Sequence, residues 1–250
     1  MILLASDYDG TLKQNQVIDK QDIEAILNFQ GQGNQFAIIT GRSIGMIQGE
    51  LKKYGIPFDY VICGNGAIIA DQNYNILERF DLEYPLALEL LEICSKQPGV
   101  SYGISDGDRF GAAKIENVDM SDEMFDDASD YEAIIKDKQI AMIFIQHQNE
   151  ALTLQLKDEL VEKYGSQAAF HYNKGAINVS SSLVSKKTGV SALCESLNCE
   201  VHVIGDGYND VPMIEAFSGF AVTGAPEEVK QKSVKVFDKI KDCVAYLLDK

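Results

Sequence analysis

The segment Ile2-Leu3-Leu4-Ala5-Ser6-Asp7-Tyr8-Asp9-Gly10-Thr11-Leu12 decides how the rest of this chain is interpreted. Its apolar start predicts a short buried strand, which ends in two acids and a glycine turn. Residues two apart in an extended chain point the same way, so Asp7 and Asp9 are expected to lie about 6 to 7 Å apart. Two carboxylates this close repel each other and call for a cation or a shared proton.

Length and composition predict a globular protein with one large domain or two ordinary ones. The chain has 250 residues, of which 46% are hydrophobic and 24% charged, enough to build a full core. No apolar stretch approaches the ~20 residues of a membrane span, and the N-terminus lacks a basic region followed by a long apolar segment. We therefore expect a cytoplasmic protein without a signal peptide.

The charge balance argues against nucleic acid or membrane as partners. With 22 Lys and Arg against 38 Asp and Glu, the formal net charge is -16, which repels large polyanions. A small anionic substrate would need a local cluster of cations or a metal. The five cysteines are scattered without a C-x-x-C pair, so reduced thiols are expected rather than disulfides or zinc. The oligomeric state stays open.

The two ends of the chain show alternating strand and helix patterns. Such alternation is typical of an α/β fold with a Rossmann-like doubly wound parallel sheet. The predicted strands are 2–5, 35–39, 60–63, 202–204, 219–222 and 235–237, with a hairpin over 67–70 and 75–80. The predicted helices are 17–32 with Asp19 as N-cap, 43–54, 186–197, 210–217 and 227–233, followed by a terminal helix.

The middle of the chain has a different pattern, with short strands joined to helices. It predicts an α+β sheet with helices on one face. Its predicted strands are 101–104, 112–115, 140–146, 168–172 and 176–179, and its helices 84–96, 149–164 and an acidic one near 121–128. We therefore divide the chain into a catalytic core, residues 1–80 and 184–250, and an inserted α/β domain, residues 81–183.

Polar residues stand where several predicted strands end or where a helix leads into one. Parallel strands share one carboxyl edge, where ligands bind, so these residues are expected to converge. Phosphoryl transfer needs carboxylates, a hydroxyl and an ammonium at one place. The carboxylates hold Mg²⁺, and the hydroxyl and ammonium neutralise the phosphoryl oxygens. Each position alone is typical of a turn, a helix cap or a solvated surface residue, and only the joint arrangement favours a site. The residues are Asp7, Asp9, Thr40, Lys186, Asp206, Asn209 and Asp210.

These segments together resemble the four motifs of the haloacid-dehalogenase-like phosphatases. The motifs are Asp7-Tyr8-Asp9-Gly10-Thr11-Leu12, Ile38-Ile39-Thr40-Gly41-Arg42, Lys186 and Gly205-Asp206-Gly207-Tyr208-Asn209-Asp210. The insertion resembles the large α/β cap of the Cof-type branch. The resemblance covers essentially the whole chain and implies a Rossmann-like core with a cap, Mg²⁺ dependence and hydrolysis of phosphomonoesters.

The resemblance implies roles for the acids of the first and last motifs. Asp7 would be the nucleophile that forms an aspartyl-phosphate. Asp9 would protonate the leaving oxygen and then activate the water that releases phosphate. Asp7, the backbone carbonyl of Asp9 and Asp206 would hold Mg²⁺.

The same resemblance implies how the phosphoryl group would be bound. Thr40, the Gly41 amide, Lys186 and Asn209 would contact its oxygens. Asp210 would orient Lys186 or lie in the outer shell of the metal.

Three departures from the family pattern bear on these roles. Tyr8 stands where a smaller aliphatic residue is more usual, and the backbone role there is unaffected. Lys187 directly follows Lys186, so either could be the phosphate lysine. The segment Val222-Thr223-Gly224-Ala225 replaces a common Met-Gly-Asn-Ala, so any role of that asparagine is absent.

Other polar features are interpreted as structural. The loops 105–109 and 172–175 are polar candidates for substrate choice, but we interpret them as ordinary turns. The acidic run 119–130 predicts a solvated face. Arg42 is either a phosphate clamp or a helix-surface residue. The histidines lack ligand spacing and are expected to be structural: His147, His171 and His202.

The main hypothesis is an Mg²⁺-dependent phosphatase of small phosphorylated metabolites, such as sugar phosphates. A phosphosugar mutase would use the same residues and stays open as an alternative. A phospho-accepting signalling domain also uses carboxylates, Mg²⁺, a threonine and a lysine on a parallel sheet. It is less favoured, because receiver domains are shorter, accept the phosphoryl group at a middle strand and carry no inserted domain.

Overall fold

The computed structural model describes residues 1–114, 129–173 and 175–249, without the side chains of residues 129, 130 and 173. The described strands form two sheets, one of eight strands and one of five. The predicted acidic helix near 121–128 lies outside the described residues, as does most of the acidic run 119–130. The last residue of the predicted strand 112–115 and Lys174 of the loop 172–175 also lie outside them.

The described strands and helices are numbered here in chain order. The strands are β1 (Ile2–Asp7), β2 (Gln35–Ile39), β3 (Tyr60–Cys63), β4 (Ile68–Asp71), β5 (Ile76–Arg79), β6 (Val100–Ser105), β7 (Phe110–Lys114), β8 (Met142–His147), β9 (Ala168–Asn173), β10 (Ala176–Ser181), β11 (Glu200–Gly205), β12 (Phe220–Val222) and β13 (Lys235–Phe237). The helices are α1 (Lys20–Gly31), α2 (Ile44–Tyr54), α3 (Tyr84–Lys96), α4 (Ser129–Asp137), α5 (Glu150–Tyr164), α6 (Lys186–Leu197), α7 (Val211–Ala216), α8 (Glu227–Lys232) and α9 (Ile240–Leu248).

The larger sheet has the strand order β13-β12-β11-β1-β2-β3-β4-β5. All pairs from β13 to β3 are parallel, and the hairpin strands β4 and β5 extend the sheet in antiparallel fashion. β1 lies between β11 and β2, so its end is flanked by the ends of two other parallel strands. The fold is the expected α/β one, a Rossmann-like doubly wound sheet with an inserted α/β domain.

Side-chain caps set where the helices of the larger domain begin. Asp19 accepts a hydrogen bond from the Gln21 amide, so α1 begins at Lys20. The prediction that this helix starts at Val17 was wrong, because Val17 exchanges backbone hydrogen bonds with Gln14 in a short bridge. Ser43 caps α2 in the same way through the Met46 amide.

The smaller sheet is antiparallel, with the order β7-β6-β8-β10-β9. One face, which includes Ile143, Ile145 and Ile177, shares a core with buried residues of α3, α4 and α5. The predicted arrangement of helices on one face is therefore confirmed. α4 was not predicted, although its Ile134 is fully buried.

The opposite face of the smaller sheet turns toward the larger domain. Phe110, Ala112 and Phe144 form a small apolar cluster there, with Met46 of α2 and Ala176 packed against it. We call the smaller sheet and its helices the cap. The division at residues 80/81 and 183/184 stays a prediction, consistent with β6–β10 forming a sheet of their own.

Two further observations concern the described residues as a whole. None of their helices combines the length and the apolar character that crossing a membrane requires. All five cysteines are free thiols: Cys63, Cys94, Cys194, Cys199 and Cys243.

Candidate active site

The ends of three adjacent parallel strands bring the first polar residues together. Asp7 is the last residue of β1, Thr40 directly follows β2, and Asp206 directly follows β11. Because β1 pairs with both neighbours, these side chains lie at one edge of the sheet. Asp7 and Thr40 are buried, with relative exposures of 5% and 1%.

A buried lysine joins two of the acids at this edge. The Lys186 Nζ donates to Asp7 Oδ1 at 2.6 Å and to Asp210 Oδ1 at 2.5 Å. Burial opposes the charge on Lys186, but the attraction of Asp210 and Asp7 outweighs it and raises the pKa of this lysine. Lys187 is exposed. Of the two candidate lysines, Lys186 is therefore the one in the site.

A glycine allows α6 to bring this lysine into place. Gly66 has a φ of +114°, and a Cβ there would lie 2.3 Å from the Ser185 backbone oxygen. Only a residue without a side chain permits this approach. Ser185 in turn caps α6 by accepting a hydrogen bond from the Thr188 amide at 3.1 Å. The start of α6, which carries Lys186, is thus fixed against the turn that follows β3.

Three carboxylates form a compact group beside the lysine. Asp7, Asp206 and Asp210 each place an oxygen within 4.8 Å of the others. Asp210 uses both oxygens, since Oδ2 accepts from the Asp206 and Gly207 amides at 3.0 and 2.7 Å. One lysine cannot neutralise three carboxylates, and oxygen ligands in such a group suit a hard divalent cation. The chemistry of the site therefore fits Mg²⁺, with Asp7 and Asp206 better placed than Asp210 as ligands.

Asp9 lies at the same crevice in a different environment. Its two oxygens accept from Arg42 Nε and Nη2, both at 2.7 Å, in a bidentate ion pair. Burial opposes the charge on Arg42, but the hydrogen bonds and attraction of Asp9 raise the pKa of the guanidinium. Arg42 is therefore not a helix-surface residue, one of the two alternatives expected of it; the other, a phosphate clamp, stays a prediction. It holds Asp9.

The unusual Tyr8 packs against the guanidinium of this arginine. Its ring is fully buried, and the Arg42 guanidinium lies 5.5 Å from the ring centroid. The Tyr8 hydroxyl donates to Glu50 Oε2 at 2.9 Å, and Lys13 pairs with the same carboxylate. Burial, with Glu50 beside it, raises the pKa of Tyr8, so the phenol stays protonated. Tyr8 thus links the segment that follows β1 to α2.

A fully buried asparagine belongs to the site and was missed by sequence reasoning. Asn65 adopts a left-handed conformation (φ 57°) in the turn that follows β3, and its amide N–H donates to the Thr40 oxygen at 2.9 Å. The Asn209 Nδ2 donates to Asn65 Oδ1 at 3.0 Å. The available signal was its position, because Asn65 lies in the turn after the parallel strand β3, at the same edge of the sheet as Thr40, which follows β2. The flanking glycines, Gly64 and Gly66, by themselves indicate only a turn.

The cap covers this edge through a polar loop. The Ile44 and Gly45 amides, at the start of α2, donate to the Gly107 and Asp108 oxygens at 2.7 and 2.9 Å. The segment 105–109, predicted to be an ordinary turn, is a turn that also fastens the cap to the core. The hydrogen bonds fix the cap over the crevice.

His171 faces the site from the cap. Its Nε2 lies 3.3 Å from Ser180 Oγ, and it also hydrogen-bonds the Val184 backbone. Burial, with a smaller effect of the Lys186 charge, lowers the pKa of His171 to about 4, so the ring is neutral at pH 7. The other histidines have local partners, since His147 accepts from the Asn149 amide and His202 stacks on a phenylalanine.

The variant His171→Asn is expected to lose less stability in mild acid than the parent does. In the unfolded chain this histidine takes up a proton near pH 6.5, whereas the folded protein resists protonation down to about 4. Over that window the unfolded state binds more protons, so the free energy of unfolding falls as the pH falls, by up to about 3 kcal/mol. Urea unfolding at pH 4.5, 5.5 and 7 measures the slope. The prediction would be contradicted if the free energy of unfolding changed equally with pH in His171→Asn, in the control His202→Asn and in the parent.

Comparison with known proteins gives one family and a consistent set of relatives. A family model described as haloacid dehalogenase-like hydrolase matches residues 4–248. The curated 5-amino-6-(5-phospho-D-ribitylamino)uracil phosphatase YcsE of Bacillus subtilis is 28% identical, over 97% of this chain and 92% of its own. An uncharacterised protein of Mycoplasma capricolum is 26% identical, over 86% of this chain and 87% of its own.

Solved structures share the fold over their whole length. A haloacid dehalogenase-like hydrolase from B. subtilis has a TM-score of 0.85 at 19% identity, with 100% of this chain and 99% of that chain covered. One from Bacteroides thetaiotaomicron has a TM-score of 0.83 at 20% identity and 98% coverage of both. A sugar phosphatase of subclass IIB has a TM-score of 0.82 at 19% identity and 99% coverage of both.

Proposed function

This chain belongs to the haloacid dehalogenase-like hydrolases, and we propose that it is an Mg²⁺-dependent phosphatase of small phosphorylated metabolites, acting through an aspartyl-phosphate. The observation that carries the proposal is the buried Asp7 carboxylate, which ends β1 beside Lys186 and within 4.8 Å of two further carboxylates. A buried, cation-flanked carboxylate at a sheet edge is suited to attack an anionic phosphorus centre.

In the first step an Asp7 oxygen attacks phosphorus. The bond from Asp7 to phosphorus forms while the bond from phosphorus to the ester oxygen breaks, and Asp9 gives its proton to that leaving oxygen. In the second step water attacks the same phosphorus, Asp9 takes up the water proton, and the Asp7 carboxylate leaves. Each group ends in the state in which it began.

The ion pair with Arg42 bears on both roles of Asp9. Arg42 binds both oxygens of Asp9, which favours the ionised form that the second step needs as a base. To donate a proton in the first step, Asp9 must give up at least one of these hydrogen bonds. We infer that Arg42 is a positioning residue. It holds Asp9 at the crevice until the leaving group replaces Arg42 as a hydrogen-bond partner of Asp9.

The phosphoryl oxygens would be bound by four groups from three segments. Thr40 and the Gly41 amide follow β2, Lys186 begins α6, and Asn209 lies in the 3-10 turn Tyr208–Asp210. Asp210 holds Lys186 through one oxygen and the loop amides through the other, so its role is to support rather than to bind.

Mg²⁺ would be held by Asp7, the backbone carbonyl of Asp9 and Asp206. When bound, it would neutralise the charge on the phosphoryl oxygens and offset the repulsion between them and the carboxylates. The Asp206 carboxylate is oriented for this task by the Thr11 hydroxyl, which donates to its Oδ1 at 2.9 Å.

The relatives support a small phosphorylated substrate. One curated relative is a phosphatase of a phosphoribitylamino-uracil, and one structural neighbour is a sugar phosphatase. Both substrates named there join a phosphate ester to a hydroxylated carbon chain. We take sugar and polyol monophosphates as the first class to test for this chain.

The test is release of inorganic phosphate from a panel of phosphomonoesters, with Mg²⁺ and with a chelator. Phosphate release is expected with Mg²⁺ and a loss of at least about 100-fold without it. The control variant Lys187→Gln, at an exposed residue, is expected to release phosphate as fast as the parent. The proposal would be overturned if no member of the panel released phosphate. Isomer formation stimulated by a sugar bisphosphate, with little free phosphate, would identify a mutase instead.

A further inference from the structure

A group of three carboxamide side chains lies beside Gly41: two of them contact it, and the third is hydrogen-bonded to one of these two. A Cβ at Gly41 would lie 3.3 Å from Asn178 Nδ2 and 3.3 Å from both amide atoms of Asn65. The third, Asn209, donates to Asn65. Asn178 lies on β10 of the cap, whereas the other two belong to the core. A ligand held by the Gly41 amide would therefore touch the cap at Asn178.

The two core amides leave one donor and one acceptor without a partner. Within the described part of the chain, the buried Asn65 Nδ2 and Asn209 Oδ1 have no hydrogen-bond partner. Turning both amides around exchanges the atoms but again leaves one donor and one acceptor. A phosphoryl dianion only accepts hydrogen bonds, so it satisfies the donor and not the acceptor. The remaining acceptor calls for an O–H or N–H group.

Strand register places neutral side chains around Asn178. Ile177 and Val179 face the helices of the cap, so Asn178 between them faces the core. Its neighbours across the strands are Phe144 on β8 and His171 on β9. Among the described side chains of β8, β9 and β10 that alternate toward the core, none is an acid, lysine or arginine. His171 is neutral at pH 7, so this face offers hydrogen bonds but no charge.

Resting on the phosphatase activity proposed above, we propose that Asn178, together with the free acceptor of the Asn65–Asn209 pair, binds a substrate hydroxyl on the carbon next to the ester carbon. An amide can both donate to and accept from a hydroxyl, whereas a carboxylate or an ammonium there would find no opposite charge on this face. Asn178 is thus a specificity-determining residue that reads the leaving group and not the phosphoryl group.

Four two-carbon esters that differ in one group test this subsite: ethyl phosphate, 2-hydroxyethyl phosphate, phosphoglycolate and phosphoethanolamine. The parent enzyme is expected to show the highest kcat/KM for 2-hydroxyethyl phosphate, at least about tenfold above ethyl phosphate. In Asn178→Ala this ratio is expected to fall close to one. In Asn178→Asp the new charge is expected to shift preference toward phosphoethanolamine. Gln146→Ala, on the same face but paired with Ala176 instead of Asn178, is expected to keep the parent ratio.

The outcomes separate this inference from the proposed function. If the wider panel releases no phosphate, the phosphatase proposal itself fails. If the panel reacts but the four esters share one kcat/KM, or none of them reacts, only the hydroxyl subsite is overturned. A preference that survives in Asn178→Ala would also overturn it. Thermal unfolding shows whether each variant is still folded. The gain of preference expected in Asn178→Asp cannot result from loss of fold, so it reports on binding.

Discussion

The variant Asp7→Asn is expected to lose phosphate release by at least about 10³-fold. An amide of the same shape keeps the packing at the end of β1 but cannot attack phosphorus as a carboxylate does. The loss should appear in kcat, because the remaining groups, Thr40 and Lys186, would still bind a phosphoryl group. Acid-quenched parent enzyme should carry a hydroxylamine-sensitive phosphate, and the variant should carry none.

Stability measurements separate a chemical effect from a structural one. Asp7→Asn removes one partner of Lys186 but also one of three carboxylates that lie within 4.8 Å of each other. We therefore expect a thermal midpoint close to that of the parent in the presence of a chelator. Asp158→Asn, an exposed change on α5, serves as the control and should leave both properties intact. Substantial activity in Asp7→Asn would rule out Asp7 as the nucleophile.

The core of the site follows from the sequence because parallel strands end at one edge. Asp7, Thr40 and Asp206 each follow a short apolar run that predicts a buried strand, so their convergence can be inferred without the tertiary structure. Lys186 follows as well, since it starts a helix that returns to the next strand of the same sheet. The choice against Lys187 does not follow from the pattern. It depends on the close contact of Gly66 with Ser185, which fixes the rotation of α6.

The roles of Arg42 and Asn65 could not be predicted, because both depend on pairwise contacts between loops. An arginine after a strand is equally compatible with phosphate, solvent or an acid as its partner. In the structure it pairs with Asp9 while its guanidinium lies 5.5 Å from the centroid of the buried Tyr8 ring. Asn65 occurs between two glycines, a pattern that indicates a turn whether or not the side chain points into a crevice.

The cap is harder to predict than the core for a physical reason. Alternation along β10 shows that Asn178 lies opposite the face of Ile177 and Val179, but not what that face meets. The answer depends on how two separate cores dock, which here is fixed by the amides of Ile44 and Gly45 on the loop 105–109. His171 was expected to be structural because the histidines lack ligand spacing, and the effect of the Lys186 charge on its pKa emerges only after docking.

The variant Lys186→Met is expected to reduce both stability and activity, unlike any change at Lys187. Methionine fills the space of the lysine but leaves Asp7 and Asp210 as buried carboxylates without a cation, which costs about 3 to 5 kcal/mol. Loss of the ammonium from the phosphoryl site should lower kcat/KM by about 10²-fold to 10³-fold. Urea unfolding with a chelator present, so that no metal replaces the lysine, measures the stability term, and phosphate release with Mg²⁺ measures the other.

The pH dependence of this variant tests the electrostatic cause directly. Burial already raises the pKa of Asp210 above its unfolded value, and without Lys186 the main attraction that opposes this rise is lost. Stability is then lost as the pH rises through the raised pKa of Asp210 and regained as the pH falls, because a protonated carboxyl costs little to bury. Adding Asp210→Asn to Lys186→Met should restore much of the stability without restoring activity. A deficit that is the same at pH 5 and pH 8, or matched by Lys187→Met, would show that packing and not charge holds this lysine in the site.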